Sequence, residues 1–266
     1  MVSVCIATYN GEKYIKEQLD SILCQLEEND EIILSDDHSV DNTINIVKSC
    51  KDNRIHIFTN NRKRGVIGNF ENAISNSKGD YIFLSDQDDF WLPQKVRISI
   101  EKIQQIEKKH PNLPALIFTD LSVVDSDLNI LIDSIWEKTE QDPNLSARPE
   151  ILCVSNRIMG CTMAFNKFAK RVSLPINENA IMHDWWIALC VAKNGVVEAI
   201  RIPTLLYRQH GENVIGSQIL NERTFMAKIM NIKQVLLFNR QVFKMVRKFY
   251  RISIFRYIYL KVRLHF

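Results

Sequence analysis

"DYIFLSDQDDFWLPQKVRISIEKIQQIEKK" (residues 80–109) reads as one complete structural unit. Its opening, "DYIFLS" (80–85), is an apolar and aromatic run of strand length. The run ends in Asp86, Asp88 and Asp89. Then "PQKVRISIEKIQQIEKK" (93–109) opens with proline, which suits a first helical turn because its missing N–H would be unsatisfied there anyway. The order is strand, acidic turn, helix. Three carboxylates within four residues at the end of a buried strand repel one another and resist desolvation unless something positive sits beside them. A turn alone explains one such aspartate readily. For three, a divalent cation is the simplest partner, and hard carboxylate oxygens suit Mg²⁺ or Mn²⁺.

Outward from this unit the pattern repeats. "VSVCIAT" (2–8), "DEIILS" (30–35) and "RIHIFT" (54–59) are further strands. Between them, "EKYIKEQLDSILCQL" (12–26) places Tyr14, Ile15, Leu19, Ile22, Leu23 and Leu26 on one helical face, and "VDNTINIVKSC" and "VIGNFENAISNS" (66–77) complete the alternation, with Gly79 as a stop. Strands separated by helices predict βαβ units and a mostly parallel sheet, Rossmann-like and covered on both faces. Ligands of such sheets bind beyond the carboxyl ends of the strands. Four of those ends read "ATYNGE", "SDDHSVD", "NNRKRG" and "SDQDD". Farther on, a strand is expected near 158–165, a helix over 184–193 and a strand over 196–202, while "WEKTEQDPNLSARPE" (136–150) reads as a loop.

Composition narrows the class. The chain has 266 residues, 46% of them hydrophobic, enough for a large buried core. Its six cysteines are scattered with no CxxC, which reads as reduced, buried thiols. The start carries no basic leader or cleavage pattern, and no stretch reaches about 18 uncharged apolar residues, so neither a signal peptide nor a membrane span is expected. The net charge of +3 hides a division. Residues 223–266 hold 11 Lys and Arg and no acid, leaving 23 bases against 31 acids in the rest. This basic tail alternates Ile229, Ile232, Val235 and Leu236 with lysines and arginines at near-helical spacing, and then interleaves aromatics with arginines. It is expected to be an amphipathic helical extension, whose first helix either packs on the body with a basic outer face or, in the favoured reading, joins the rest of the tail in meeting an anionic membrane surface, and no nucleic-acid module is evident. An EF-hand is excluded, because the sixth residue from Asp86 is Trp91 and the twelfth from Asp37 is Lys48. Neither GxxxxGK[ST] nor GxGxxG occurs.

Three other stretches carry chemistry. In "SDDHSVDNT" (35–43), Asp36 or Asp37 can accept hydrogen bonds from a base or a ribose, while Ser39 or Asp41 can cap a helix. In "MHDWWIALCVAKNG" (182–195), Asp184 is either a first-turn acid favoured by the helix dipole or a general base, with Trp185 and Trp186 as walls for a sugar ring. In "LLYRQHGENVIG" (205–216), Arg208 and His210 suit phosphate and metal.

Together, "VSVCIATYNGEKYIKEQLDSI", "ILSDDHSVDNT", "GVIGNFENAI", "GDYIFLSDQDDFWLPQKV", "HDWW" and "YRQHGENVIG" resemble the family 2 glycosyltransferases of the GT-A type, in order and spacing, over residues 1–216. The look is nearest to bacterial rhamnosyltransferase-like members. The resemblance implies a metal-dependent inverting transferase using Mg²⁺ or Mn²⁺ and a dTDP- or UDP-sugar. The acceptor would be a saccharide or a lipid-linked one, in cell-surface polysaccharide synthesis at the inner face of the plasma membrane. It implies a catalytic domain over 1–222, with a nucleotide-sugar half (1–110) and an acceptor half (111–222), and the tail beyond. Asp86 would face the ribose, and Asp88 the cation that bridges the diphosphate, with His210 nearby. Ala7, Thr8 and Tyr9 with Asp36 or Asp37 would hold the base, and Asn10, Glu12, Asn69 and Gln87 would complete the donor site. Arg208 would meet the diphosphate, Trp185 and Trp186 the acceptor, and Asp184 would be the catalytic base. His183 stands where the family usually has Glu. A sugar-nucleotide binding protein without turnover would lack the need for Asp88 and Asp184. A nucleotidyltransferase would want a Gly-rich basic loop after the first strand, where this chain has "ATYNGEKY".

Overall fold

A computed structural model describes residues 1–209 and 232–263 of the chain. Strands β1 (Val2–Thr8), β2 (Glu31–Asp36), β3 (Ile55–Thr59) and β4 (Tyr81–Ser85) alternate with helices α1 (Ile15–Leu23), α2 (Thr43–Ser49) and α3 (Val66–Asn76). A short β5 (Phe90–Trp91) precedes α4 (Lys95–Lys109). The second half holds β6 (Ala115–Val124), β7 (Ile130–Ile132), short helices α5 (Ile135–Lys138), α6 (Pro143–Ser146) and α7 (Pro149–Leu152), β8 (Met163–Asn166), α8 (Lys167–Ser173), α9 (His183–Asn194) and β9 (Val196–Arg208). Two C-terminal helices follow, α10 (Ile232–Val246) and α11 (Ile254–Arg263).

The nine strands form one sheet in the order β3-β2-β1-β4-β8-β6-β9-β5, with β7 beside β6. β1, β2, β3 and β4 run parallel, β6 is antiparallel to β8 as β8 is to β4, and β9 is parallel to β6. Six strands therefore point the same way, and their carboxyl ends share one edge. β1, β2 and β6 are buried along nearly their whole length, as apolar strands covered on both faces should be.

The sequence reading passes over β6, the ten-residue strand that joins the two halves of the sheet. It also takes 136–150 for a loop, whereas three one-turn helices occupy it. Ser134 and Asp142 cap two of them with their side chains, and prolines sit at the first positions of α6 and α7. The expected strand at 196–202 continues to Arg208. α9 is largely apolar and buried along most of its length; Phe238 of α10 and Phe249, in the connection between α10 and α11, pack on Trp185 and Trp186.

Candidate active site

The shared carboxyl edge collects the residues singled out above. β1 ends at Thr8, whose hydroxyl donates to an Asp36 oxygen at 3.1 Å. Asp36 also accepts from the Ser39 backbone N–H at 2.9 Å and the Ser39 hydroxyl at 2.5 Å. Asp37 accepts from Asn60 Nδ2 at 2.7 Å and from the Gly65 N–H at 2.8 Å, tying the loop after β3 to the start of α3. Both aspartates are thus buried braces of the edge. Gln87 clamps β4 to β1: its amide oxygen accepts from the Tyr9 N–H at 2.9 Å and its nitrogen donates to the Tyr9 carbonyl at 3.1 Å. Asn69 donates to the Thr8 carbonyl at 3.0 Å, and its own side-chain oxygen is buried with no hydrogen-bond partner. Asn10, in a left-handed conformation (φ 49°), accepts from the Val40 N–H at 3.0 Å, and Glu12 accepts from the Asn42 N–H at 2.8 Å. Ala7 is half-buried beside them, whereas the Tyr9 side chain is 56% exposed and offers a free aromatic face.

The acidic turn lies at the centre. Asp86 and Asp88 are half-buried and Asp89 is fully buried. Burial, then the Asp88 and Asp184 carboxylates, push the Asp86 carboxyl up to about 7. Asp89 is pushed well up by burial and then by Asp86 and Asp88. Neither of its oxygens accepts a well-formed hydrogen bond, though the Arg208 backbone N–H and the Cys161 thiol lie close by. One ligand atom each from Asp86, Asp89 and Cys161 lie within 4.8 Å of one another. The donor chemistry suits a hard divalent cation at the carboxylates, while burial holds the Cys161 thiol neutral.

Asp184 enters from the first turn of α9, in the other half of the sequence, close enough for its charge to act on Asp86. Burial raises its carboxyl to about 7, against the pull of the Trp185 N–H, which donates to it at 2.5 Å, and of the Gly160 N–H. His183 is buried and stacked on Phe70, ring centroids 4.0 Å apart. Neither ring nitrogen has a partner, and burial holds the imidazole neutral by lowering it to about 3. Gly160 makes room for it, since a Cβ there would stand 2.7 Å from Nε2.

Three of the expected contact residues, Trp185, Trp186 and Arg208, lie in the interior. Trp185 and Trp186, expected at the acceptor, are buried. Their N–H groups donate to the Leu152 and Ser173 carbonyls at 2.7 and 2.8 Å, and their rings pack near Phe238 and Phe249. Burial of a large apolar ring against the C-terminal helices outweighs exposure at the edge. Arg208 is likewise internal: Nε donates to the Asp88 carbonyl at 2.9 Å, and the other nitrogens to the Ser126 carbonyl and to Glu17. It pins the acidic turn through the Asp88 carbonyl. The metal-group geometry includes Asp89 and Cys161 and leaves out Asp88. His210 lies outside the described residues.

The sequence reading missed Lys95. Its buried ammonium donates to the Cys161 carbonyl at 3.2 Å and the Thr204 hydroxyl at 3.1 Å, and the Thr119 hydroxyl lies 2.6 Å from that of Thr204. Burial lowers Lys95 to about 8, while Asp89 pulls the other way. A lysine in the first turn of α4, against the helix dipole, was the available signal.

These shifts give stability a pH dependence with a definite sign. The raised carboxyls hold protons in the native state that the unfolded chain has released, so each loses its stabilisation as pH rises through about 7. His183 acts oppositely, but only below its ordinary value of 6.5, and Lys95 only above about 8. Between pH 6.5 and 8, with chelator present, stability should fall with rising pH, by up to roughly 1.4 kcal/mol per unit for each ionising carboxyl. Urea unfolding at the two pH values measures it, and Asp86→Asn should flatten the slope. A stability that rises over this interval would contradict the burial of these acids.

Known proteins share both sequence and architecture with this chain. The sequence signature of Glycosyl transferase family 2 matches residues 3–111. A dTDP-rhamnosyl transferase, RfbG of Shigella flexneri, is 30% identical over 237 residues, covering 80% of this chain and 74% of its own. A UDP-Glc:α-D-GlcNAc-diphosphoundecaprenol β-1,3-glucosyltransferase, WfaP of Escherichia coli, is 40% identical over 96 residues, 36% of this chain and 38% of its own. The mannosyltransferase PcManGT from Pyrobaculum calidifontis, solved with GDP-Man and Mn²⁺, superimposes with a TM-score of 0.63 at 17% identity, over 99% of this chain and 69% of that one. The mixed, mostly parallel sheet flanked by helices is the GT-A fold.

Proposed function

The chain belongs to glycosyl transferase family 2, and from that premise we propose that it is an inverting transferase that moves a sugar from a nucleoside-diphosphate donor to a saccharide or lipid-linked acceptor. The observation that carries the reading is that Asp184, from the first turn of α9, stands close enough for its charge to act on Asp86 in the acidic turn after β4. A dTDP- or UDP-sugar, with rhamnose first among candidates, follows from the likeness to RfbG, and a lipid-linked acceptor in bacterial polysaccharide synthesis from the likeness to WfaP.

Asp86 and Asp88, half-buried in the acidic turn, would hold Mg²⁺ or Mn²⁺ against a donor diphosphate, next to the buried Asp89. Such an ion, when bound, neutralises charge on the departing diphosphate. Gln87 and Asn69 fix the β1 end, against which the exposed Tyr9 ring can stack a base. Asp184, poised near neutral, takes the proton of the acceptor hydroxyl as its oxygen attacks the anomeric carbon from the face opposite the diphosphate. One displacement with one base inverts the anomeric centre. His183 stays neutral beside Asp184 and does not compete for that proton.

Thermal denaturation with a panel of UDP-, dTDP- and GDP-sugars, with and without Mn²⁺, tests the reading. The matching donor at a hundredfold excess over its Kd should add about 2.7 kcal/mol. For a domain of this size that is a rise of roughly 5–10 °C. The rise should need both donor and Mn²⁺. If no nucleotide sugar shifts the transition with the ion present, the donor site is misassigned.

A further inference from the structure

We propose that the enzyme docks on an anionic phospholipid surface through the outward face of α11. The inference deepens the reading above by giving a lipid-linked acceptor its surface, but it is argued from helix geometry and charge alone. Ile254, Phe255, Ile258, Tyr259 and Val262 recur along α11 at i, i+1, i+4, i+5 and i+8, which on a helix is a single stripe about 140° wide. They are 44–82% exposed, Phe255 most of all.

Residues outside the stripe already supply the packing. Tyr257 is buried with its ring 5.3 Å from that of Phe243 on α10, and its hydroxyl donates to Asn239 at 3.2 Å. The Lys261 ammonium donates to the Val154 carbonyl at 2.6 Å. The stripe is therefore not needed to hold α11 in place. A helix that only covers a core presents polar residues to water, and a contiguous apolar stripe marks an interaction site.

Charge selects the occupant. Residues 235–263 carry eight Lys and Arg and no acid, although the chain as a whole has 31 acids. On the helix, Arg256 and Arg263 border the stripe just beyond Tyr259 and are exposed, and Arg251 precedes the helix. An interfacial helix needs this combination: an apolar face to enter the acyl boundary, aromatics at the headgroup level and cations at its margin. A nucleic acid would use the cations and leave five apolar side chains unexplained. A second copy seated symmetrically on the same stripe would bring like charges together.

Co-sedimentation of the full chain with phosphatidylglycerol or phosphatidylcholine vesicles, at low and high salt, tests the proposal. Because Val242, Met245 and Val246 of α10 are buried, surface substitutions are used in place of truncation. The chain should sediment with phosphatidylglycerol only, and less in high salt. Each basic side chain near such a surface gives roughly a fivefold gain in partitioning. Arg256→Gln with Arg263→Gln should therefore weaken binding about 25-fold, and Phe255→Ser with Ile258→Ser at least tenfold, both with unchanged melting. The proposal is overturned if the full chain stays in the supernatant with phosphatidylglycerol at low salt, or if the Phe255→Ser, Ile258→Ser protein binds as well as wild type. It is also overturned if the stripe instead supports a dimer that those substitutions dissolve. The donor-dependent thermal rise, read on the same proteins, reports separately on the transferase reading.

Discussion

Asp184→Asn is expected to leave donor binding intact and to slow transfer by about 10²–10⁴-fold, the usual contribution of a positioned general base. Asn keeps the shape of the side chain and can still accept from the Trp185 N–H, so the first turn of α9 should be undisturbed. What disappears is the acceptor of the acceptor's proton. Two readouts separate this from structural damage. The thermal rise with donor and Mn²⁺ should match wild type, because a base acts after the donor is bound. Transfer by the wild type should climb with pH through about 7, where the buried Asp184 carboxyl ionises, and the residual rate of the variant should lack that limb. A wild-type rate in the Asn variant, or one rescued by nothing but refolding, removes Asp184 from the chemistry.

How much of this was legible in the sequence differs between halves of the chain. The β1–α1 to β4–α4 alternation reads directly, since each strand is a short apolar run closed by polar residues and each helix carries one apolar face. β6 does not, because the apolar run of "ALIFTDLSVV" is broken by a buried threonine and aspartate and is followed by the short antiparallel strand β7, not by a helix of its own. At the site, residue types point to the edge but not to orientation. Asp36 and Asp37 read as base or ribose ligands in sequence, and only the structure shows that their side chains also tie together segments distant in the chain. Trp185 and Trp186 mislead for the opposite reason. Two adjacent indoles beside a candidate base suggest a sugar wall, and only the position of α10 and the segment that follows it, beyond any local pattern, shows that both are covered. The exposed stripe on α11 needed the packing of Tyr257 and Lys261 to tell which face was spare.

The aspartate turn leaves two placements for the cation, and one pair of substitutions separates them. Asp86, Asp89 and Cys161 present the tightest group of ligand atoms, but Asp89 and Cys161 are sealed from solvent, and an ion held there would be out of reach of a donor diphosphate. Asp86 and Asp88 are half-exposed at the rim. Asp88→Ala is therefore expected to abolish Mn²⁺-dependent donor binding and to reduce transfer by roughly 10³-fold or more, given the several kcal/mol that a cation contributes at a leaving group. The variant keeps the bond from Arg208 Nε to the backbone carbonyl of residue 88, and an unchanged melting temperature in the absence of donor should confirm that the fold survives. Asp89→Asn should be milder, within about tenfold. Burial already favours the neutral carboxyl there, and Asn is its nearest uncharged equivalent. Free Mn²⁺ measured by electron paramagnetic resonance, titrated with each protein in the presence of donor, reads the ion directly. If Asp89→Asn loses the ion and Asp88→Ala keeps it, the cation sits in the buried group with Cys161, and Asp88 is only the rim of the turn.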